Sequence, residues 1–474
     1  MKNNNEIKEL NKLQFDDICL YNADALDVLR GLESSSIDAL ITDPPAGIDF
    51  MGLDWDKNKG GRDNWVRWIT EIFTEAYRVL KPGAHCIVWS IPRTTHWAMW
   101  AVENSGFDIR DVIIHVFRSG IPKGRNIARA IDEASNKIGT YEYKGDLVKS
   151  KKYAHIMQKT HILKDRREPN PMIYKANTEL AKSWQGWNTS LKPAYENWIL
   201  ARKPIKEKTV DKNCVQYGVG AINIDKCRVP IVAKNETDKR ATGEGKNYSK
   251  CNVKSNYFSF DIGDIKHHFT PELGRYPSNL LCSDKALDTG AVIKGGISNK
   301  KSSGTNKVYG EIKKVNNNKD IETNDTGGES RYFDLDLWFA KNGILQYPKP
   351  QKSEKENGLY ELESKWVGYG NQFKAVLKRD EDPSEIKNKS AKTINKTKNL
   401  HPTVKSIKLM QYLIKLVTRE GQVVLDCFMG SGTTGVASKL TNRKFVGIEL
   451  EDYYFKTAYL RIKNETVQES LFGY

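Results

Sequence analysis

The sequence predicts a doubly wound, mostly parallel, Rossmann-like α/β sheet that carries a large irregular α+β insertion. Two observations predict the sheet: strand-like and helix-like runs alternate at both ends of the chain, and one strand-like run feeds a glycine-rich turn. A third, the change of texture between residues 136 and 400, predicts the insertion. The expected units are 1–135, 136–400 and 401–474.

The elements follow in order. Ile37–Thr42 (IDALIT) is a short apolar run that stops at Asp43-Pro44-Pro45, a strand entering a stiff loop. From Asn64 to Leu80 the apolar residues Trp65, Trp68, Ile69, Ile72, Phe73, Ala76, Tyr77 and Leu80 fall on one helical face, ended by Lys81-Pro82-Gly83. Ala84–Ser90 and Ile109–Phe117 are the next strands. Beyond residue 400, Thr403–Thr418 reads as a helix, Gln422–Cys427 as a strand, and Lys444–Leu450 as the strand after a second helix. In between lie polar runs such as Lys313–Asn318 and aromatic islands such as Ser183–Leu200.

The net charge of +16 is unevenly distributed. Residues 1–135 hold 16 basic and 20 acidic side chains, and residues 401–474 hold 10 and 7. Residues 136–400 hold 49 and 32, a balance of +17 that accounts for the whole excess and points to an anionic partner of that block. The most basic stretches include Lys151, Lys152, Arg166 and Arg167, then Arg202 and Lys203. No run approaches the ~18 apolar residues of a membrane span. The seven scattered cysteines form no C-x-x-C pair, which argues against a disulfide scaffold and for a reducing cytoplasm. No histidine spacing suggests a metal site.

The glycine turn, Asp426-Cys427-Phe428-Met429-Gly430-Ser431-Gly432-Thr433-Thr434, joins a strand to a helix, with Glu449 at the end of the next strand. Gly430, Gly432 and Gly435 satisfy G-x-G-x-x-G, and an acid at Glu449 suits the two hydroxyls of a ribose. An adenosine-containing cofactor is expected, either NAD or S-adenosylmethionine. Asp426 favours the second, because a carboxylate before the glycines repels a pyrophosphate but attracts a cationic methionine end. At the other end of the chain, Asp43-Pro44-Pro45 suits methylation of an exocyclic amino group. Its lone pair is delocalised into the base, and a carboxylate and the Pro44 carbonyl, each accepting one N–H, would localise and aim it. No Pro-Cys pair supplies the thiolate that methylation at cytosine C5 requires.

Asp43-Pro44-Pro45, His401-Pro402-Thr403-Val404-Lys405 and Asp426–Thr434, in that order, resemble the DNA amino-methyltransferases of the permuted beta group. Gly52-Leu53-Asp54-Trp55-Asp56, Ser119-Gly120-Ile121-Pro122-Lys123 and Leu191–Glu196 resemble its phage and prophage members. The resemblance implies a circularly permuted methyltransferase sheet that takes S-adenosyl-L-methionine and methylates double-stranded DNA. Asp43, Pro44 and Pro45 would grip the target amino group. Asp426, Phe428, Gly430, Ser431, Gly432 and Thr433 would line the methionine part of the cofactor, Glu449 its ribose and Asp24 its adenine amino group. His401, Pro402 and Thr403 would close over it, and the basic insertion would hold the duplex. The group usually has an aromatic after the second proline to stack on a flipped base; here it is Ala46, so Phe50 and Trp55 are the candidates to replace it. Asp rather than Ser before the prolines leans towards N6 of adenine, with N4 of cytosine the alternative. An NAD-dependent oxidoreductase and a non-catalytic DNA-binding protein are the other readings. A homodimer and a partner restriction endonuclease are both left open by the sequence.

Overall fold

The computed structural model describes residues 11–50, 53–117, 124–143, 172–230, 275–283, 287, 293–294, 326–327, 333–335, 338, 352–369 and 393–465. The chain divides into two compact units, 1–116 with 196–474, and 117–195.

The first unit is built on a nine-stranded sheet. In chain order its strands are β1 (Asn11–Phe15), β2 (Ile18–Asn22), β3 (Ile37–Thr42), β4 (Leu80–Ser90), β5 (Asp108–Val116), β6 (Tyr195–Arg202), β7 (Leu280–Cys282), β8 (Val423–Asp426) and β9 (Lys444–Glu449). Their spatial order is β1-β2-β9-β8-β3-β4-β6-β5-β7. The run β2-β9-β8-β3-β4 is parallel throughout, while β1 and β6 join antiparallel. β3 is buried along its whole length, as expected of a strand covered on both faces.

Helices α1 (Ala25–Gly31), α2 (Arg62–Val79), α3 (Thr95–Asn104), α4 (Ile407–Val417), α5 (Thr433–Leu440) and α6 (Asp452–Lys463) cover the sheet. Two apolar clusters form the two layers. In one, α4, α5 and α6 pack Leu413, Ile414, Val436 and Ile462 against Ile41 and Val424; in the other, α1, α2 and α3 pack Val28, Ile69, Phe73 and Ala101 against Leu40 and Val88. The helical face predicted from Trp65 onward is the buried face of α2.

Two expectations change. Lys81-Pro82-Gly83 was expected to end α2 ahead of a strand starting at Ala84; the helix does end, at Val79, but the three residues already belong to β4. Gly83 has φ +83, and its N–H reaches the carbonyls of Lys203 and Pro204, so the strand starts irregularly without a separate loop. The block 136–400 also differs from a pure insertion. It supplies β6, which pairs with β4 from His85↔Arg202 to Ser90↔Asn197, and β7, which pairs with β5. Trp198, Ile199 and Ala201 of β6 are core residues.

The second unit, 117–195, contains the helix Ile127–Ala134 and an antiparallel pair, Thr140–Tyr143 with Met172–Lys175. Buried Asp132 organises it, accepting from Tyr174 Oη (2.8 Å), Asn177 N (2.7 Å), Thr178 N (3.0 Å) and Thr178 Oγ1 (2.7 Å). Trp184 and Trp187 meet edge to face at 5.3 Å and remain exposed. Among the described residues, no helix is long and apolar enough to cross a membrane.

Candidate functional site

In an open parallel sheet, ligands bind beyond the carboxyl ends of the strands, where loops and helix N-termini converge. Four neighbouring strands, β2, β9, β8 and β3, place Asp24, Glu449, Asp426 and Asp43 side by side along that edge. Residues about 400 apart in sequence thus share one site. The junction is direct: Thr42 Oγ1, at the end of β3, donates to Asp426 Oδ1 at the end of β8 (2.7 Å).

Asp426 is almost wholly buried. It also accepts from Phe428 N (3.1 Å) through Oδ1 and from Thr434 Oγ1 (2.6 Å) through Oδ2. Burial pushes its pKa up to about 6 against the pull of those donors. Where the sequence suggested a carboxylate meeting a cationic ligand, both oxygens are taken by the protein, and they bind the two motifs together.

The loop that follows is held from three sides. Gly430 and Gly432 have φ of +53 and +79, and Gly432 begins α5. A Cβ at Gly430 would lie 2.8 Å from His401 Nε2, and one at Gly432 would lie 2.9 Å from the Ala458 Cα. Arg461 of α6, 1% exposed, donates to Ser431 O (2.6 Å), Ser431 Oγ (3.1 Å) and Thr433 Oγ1 (3.2 Å). Glu449 accepts from Gly430 N (2.9 Å) and Glu451 N (2.8 Å). Burial raises the Glu449 pKa to about 7.

His401 covers the loop. Its ring is nearly parallel to Trp55 (6.0 Å, 16°) and edge-on to Tyr454 (4.7 Å, 69°). Burial, aided by the charges of Lys405 and Arg461, lowers its pKa to about 3, so the ring is neutral. Its Nδ1 is buried with no partner among the described residues. Pro402 and Thr403 continue from it as half-buried residues. Trp55, named as a candidate to stack on a base, is engaged with His401. Phe428 lies against Trp68 (5.9 Å). Asp24 caps α1, accepting from Leu26 N (2.9 Å), and stays exposed at the edge.

Around Asp43 the sequence had singled out the loop but not its supports. Lys405 Nζ lies 2.5 Å from Asp43 Oδ2 and 3.9 Å from the centre of the Trp89 ring. Burial raises the Asp43 pKa, and Lys405 holds the rise in check. Trp89 Nε1 in turn donates to Glu196 Oε2 (2.7 Å), and Glu196 Oε1 pairs with His115 Nδ1 (3.2 Å). Burial opposes ionisation of Glu196, but the His115 bond, the Lys405 charge and the Trp89 bond outweigh it and leave the pKa at about 2.

Beyond Ala46 the loop is clamped by Asp56, 1% exposed, which accepts from Gly47 N (2.9 Å), Ile48 N (3.4 Å) and Phe50 N (2.7 Å). Gly47 has φ +68 and leaves no room: a Cβ there would lie 2.6 Å from Trp65 Cδ1. Gly47→Ala should therefore destabilise the protein by about 1–3 kcal/mol, through left-handed strain and overpacking. It should also shift the Asp-Pro-Pro loop. Thermal melting checks the first effect, and the turnover of the folded variant checks the second.

Of the basic candidates, Lys151, Lys152, Arg166 and Arg167 lie outside the described residues. Arg202 ends β6 in the central sheet, and Lys203 follows it directly. Lys203 Nζ donates to the carbonyls of Tyr77 (2.7 Å) and Leu80 (2.8 Å), so its charge is spent inside the fold. The motifs do not single out Lys405, Asp56, Arg461 or Trp89, whose local signals are weak. Lys405 and Asp56 sit inside quoted motifs, whereas Arg461 and Trp89 look like ordinary helix and strand residues.

Comparison with known proteins bears on what this site does. The family described as DNA methylase matches residues 37–460. The Type II methyltransferase M2.DpnII of Streptococcus pneumoniae is 43% identical over 74 residues, 16% of this chain and 28% of that protein. M2.LlaDCHI of Lactococcus lactis subsp. cremoris is 37% identical over 119 residues, 25% of this chain and 40% of that protein. M.HindIII of Haemophilus influenzae is 24% identical over 242 residues, 43% and 64% of the two chains. The chain therefore spans less than two thirds of the length of these relatives. Among solved structures, the M1.HpyAVI–SAM complex overlays with a TM-score of 0.34 at 17% identity, covering 94% of this chain and 98% of that one. The cytosine-N4-specific PvuII DNA methyltransferase overlays at 0.40 and 13% identity, covering 96% and 90%.

Proposed function

The chain belongs to the N6/N4 DNA methylase family, and on that premise we propose that it transfers a methyl group from S-adenosylmethionine to an exocyclic amino nitrogen in double-stranded DNA. The target proposed is N6 of adenine, and the chain is read as a permuted, phage-like member of the beta group. One observation carries the reading: the Asp-Pro-Pro loop and the glycine loop leave adjacent strands and are bonded to each other through Thr42 and Asp426. The family match does not favour a nicotinamide oxidoreductase.

The residues fit the cofactor. Gly430 and Gly432 hold the loop in left-handed backbone without side chains, the neutral His401 ring packs its Nε2 edge over Gly430 and keeps a buried Nδ1 with no partner among the described residues, and Glu449 stands at the end of the next strand. S-Adenosylmethionine supplies an electrophilic methyl group on a sulfonium whose sulfur leaves with the C–S electron pair. Asp43 and the Pro44 carbonyl accept the two N–H groups of the target and turn its lone pair toward that methyl group. As the N–C bond forms, the amino nitrogen gives up one proton, and Asp43 is the carboxylate placed to accept it.

The 117–195 unit is proposed as part of the surface that holds the duplex. Its 16 basic and 7 acidic residues suit phosphates, and exposed Trp184 and Trp187 offer flat rings. The test is tritium transfer from labelled cofactor to duplex DNA, followed by chromatography of the nucleosides. Label in N6-methyladenine supports the reading; label in N4-methylcytosine overturns the choice of base; no label on DNA overturns the reading.

Cofactor binding should depend on pH. A carboxylate must be ionised to accept two hydroxyl groups, and Glu449 ionises only near pH 7. Affinity for S-adenosylmethionine should therefore rise as pH passes from 6 to 8, with proton release on binding. The stability contributed by its raised pKa has the opposite sign: present in full below the ordinary 4.5, it is lost as pH climbs through 7. Calorimetry in buffers of different ionisation enthalpy measures the released proton, and Glu449→Gln should abolish it.

A further inference from the structure

The loop that grips the target amino group ends in Ala46, which offers no ring on which a base could stack. Trp55 is already stacked on His401. A third aromatic, Trp89, is joined to Asp43 through Lys405. β3 and β4 are parallel with Thr42 opposite Val88, so Asp43, just past the end of β3, and Trp89, still within β4, are neighbours. Trp89 is half-buried and packs partly against the core. The Lys405 ammonium lies 3.9 Å from its ring centre while standing 2.5 Å from the Asp43 carboxylate. An N–H donor to Asp43, held over an aromatic ring, occupies the position that the amino group of a stacked base would take.

Resting on the methyltransferase reading, we propose that the Trp89 face now covered by Lys405 is the platform on which the target base stacks, the ammonium holding Asp43 until the amino group of the base replaces it. The exchange trades one N–H donor to Asp43 for another and a cation–π contact for a base–aromatic stack. Asp43 remains a carboxylate throughout, so no proton changes hands before methyl transfer. The ring is oriented for this by Glu196, which accepts from Trp89 Nε1 (2.7 Å) and is braced by His115 Nδ1 (3.2 Å); His115 Nε2 lies 2.9 Å from Ser283 Oγ. Glu196 and His115 are positioning residues that act through Trp89.

The full chain, Trp89→Ala, Trp89→Phe and Lys405→Met are assayed for tritium transfer to genomic DNA from a host that lacks adenine and cytosine methylation. S-Adenosylmethionine binding and melting temperature are measured alongside. Trp89→Ala should lower kcat/KM for DNA by about 5- to 150-fold, the worth of one base–aromatic stack. Its cofactor affinity should stay within about twofold of wild type. Trp89→Phe should recover most of the loss. Lys405→Met should lower KM for DNA and move the acid limb of kcat/KM to higher pH, because Asp43 loses the cation that restrains its pKa. Wild-type kcat/KM in Trp89→Ala overturns the proposal. So does a Lys405→Met variant with raised KM and an unmoved pH profile, which would make Lys405 a contact to DNA. If Trp89→Ala does not fold, Trp89→Phe and Lys405→Met decide alone. Wild-type protein that labels no DNA overturns the methyltransferase reading, and this proposal falls with it.

Discussion

Asp43→Ala should reduce methyl transfer by about 10³-fold or more while leaving S-adenosylmethionine affinity nearly unchanged. The carboxylate has two tasks in the proposed reaction: orienting a weak nucleophile and taking its proton. Each is of the kind whose removal costs about 10²–10⁴ in rate. Among the described residues no hydrogen bond ties Asp43 to the glycine loop directly; that link runs through Thr42 and Asp426. Loss of the side chain also leaves Lys405, 11% exposed, without its anion, so some loss of stability accompanies the loss of activity. Asp43→Asn separates the two. Its amide oxygen can still meet Lys405 and one N–H of the target, so the variant should melt close to wild type yet stay far below it in turnover. Single-turnover transfer of label, with calorimetry for the cofactor, reads both quantities.

Asp426→Ala should act in a different way, on stability and cofactor binding together. It removes the acceptor of two hydroxyls and one backbone N–H that are largely enclosed in the fold, those of Thr42, Thr434 and Phe428. Each donor left unsatisfied costs about 1–3 kcal/mol, so a total loss of about 3 kcal/mol or more is expected. The glycine loop should lose its set, and cofactor affinity with it. The pH dependence gives a second check. Burial holds the Asp426 pKa at about 6, above the ordinary 3.8. A carboxyl with a raised pKa stabilises the fold most where it is protonated, and that share is lost as pH rises from about 4 through 6. The gap in melting temperature between wild type and Asp426→Ala should therefore be wider at pH 5 than at pH 8.

Much of the central sheet and its loops was legible because its signals are local. A strand that runs into Pro-Pro, a helix with one apolar face and a strand that opens on Gly-x-Gly each depend on residues within a few positions of one another. β3, α2, β8 and β9 accordingly fall within two residues of their expected limits. Where two local signals competed, periodicity could not arbitrate. Lys81-Pro82-Gly83 has the composition of a turn, yet the carbonyls of Lys203 and Pro204 draw Gly83 into a strand. Asp24 has the composition of a helix cap and of an edge carboxylate, and it occupies both positions.

The sequence by itself determined the chemistry on offer: an acid held by two prolines, a glycine loop followed by a helix, an acid at the end of the next strand, and a basic middle block. Only the tertiary structure decided which of these meet. The strand order β2-β9-β8-β3 places Asp43 beside Asp426, residues 383 apart in the chain. It likewise draws Lys405 onto Asp43 and Trp89, and it takes β6 out of the apparent insertion into the core. The physical reason is that strand order is set by side-chain packing across the whole sheet. Such contacts are long-range, and they leave no period, spacing or composition in the segments they join.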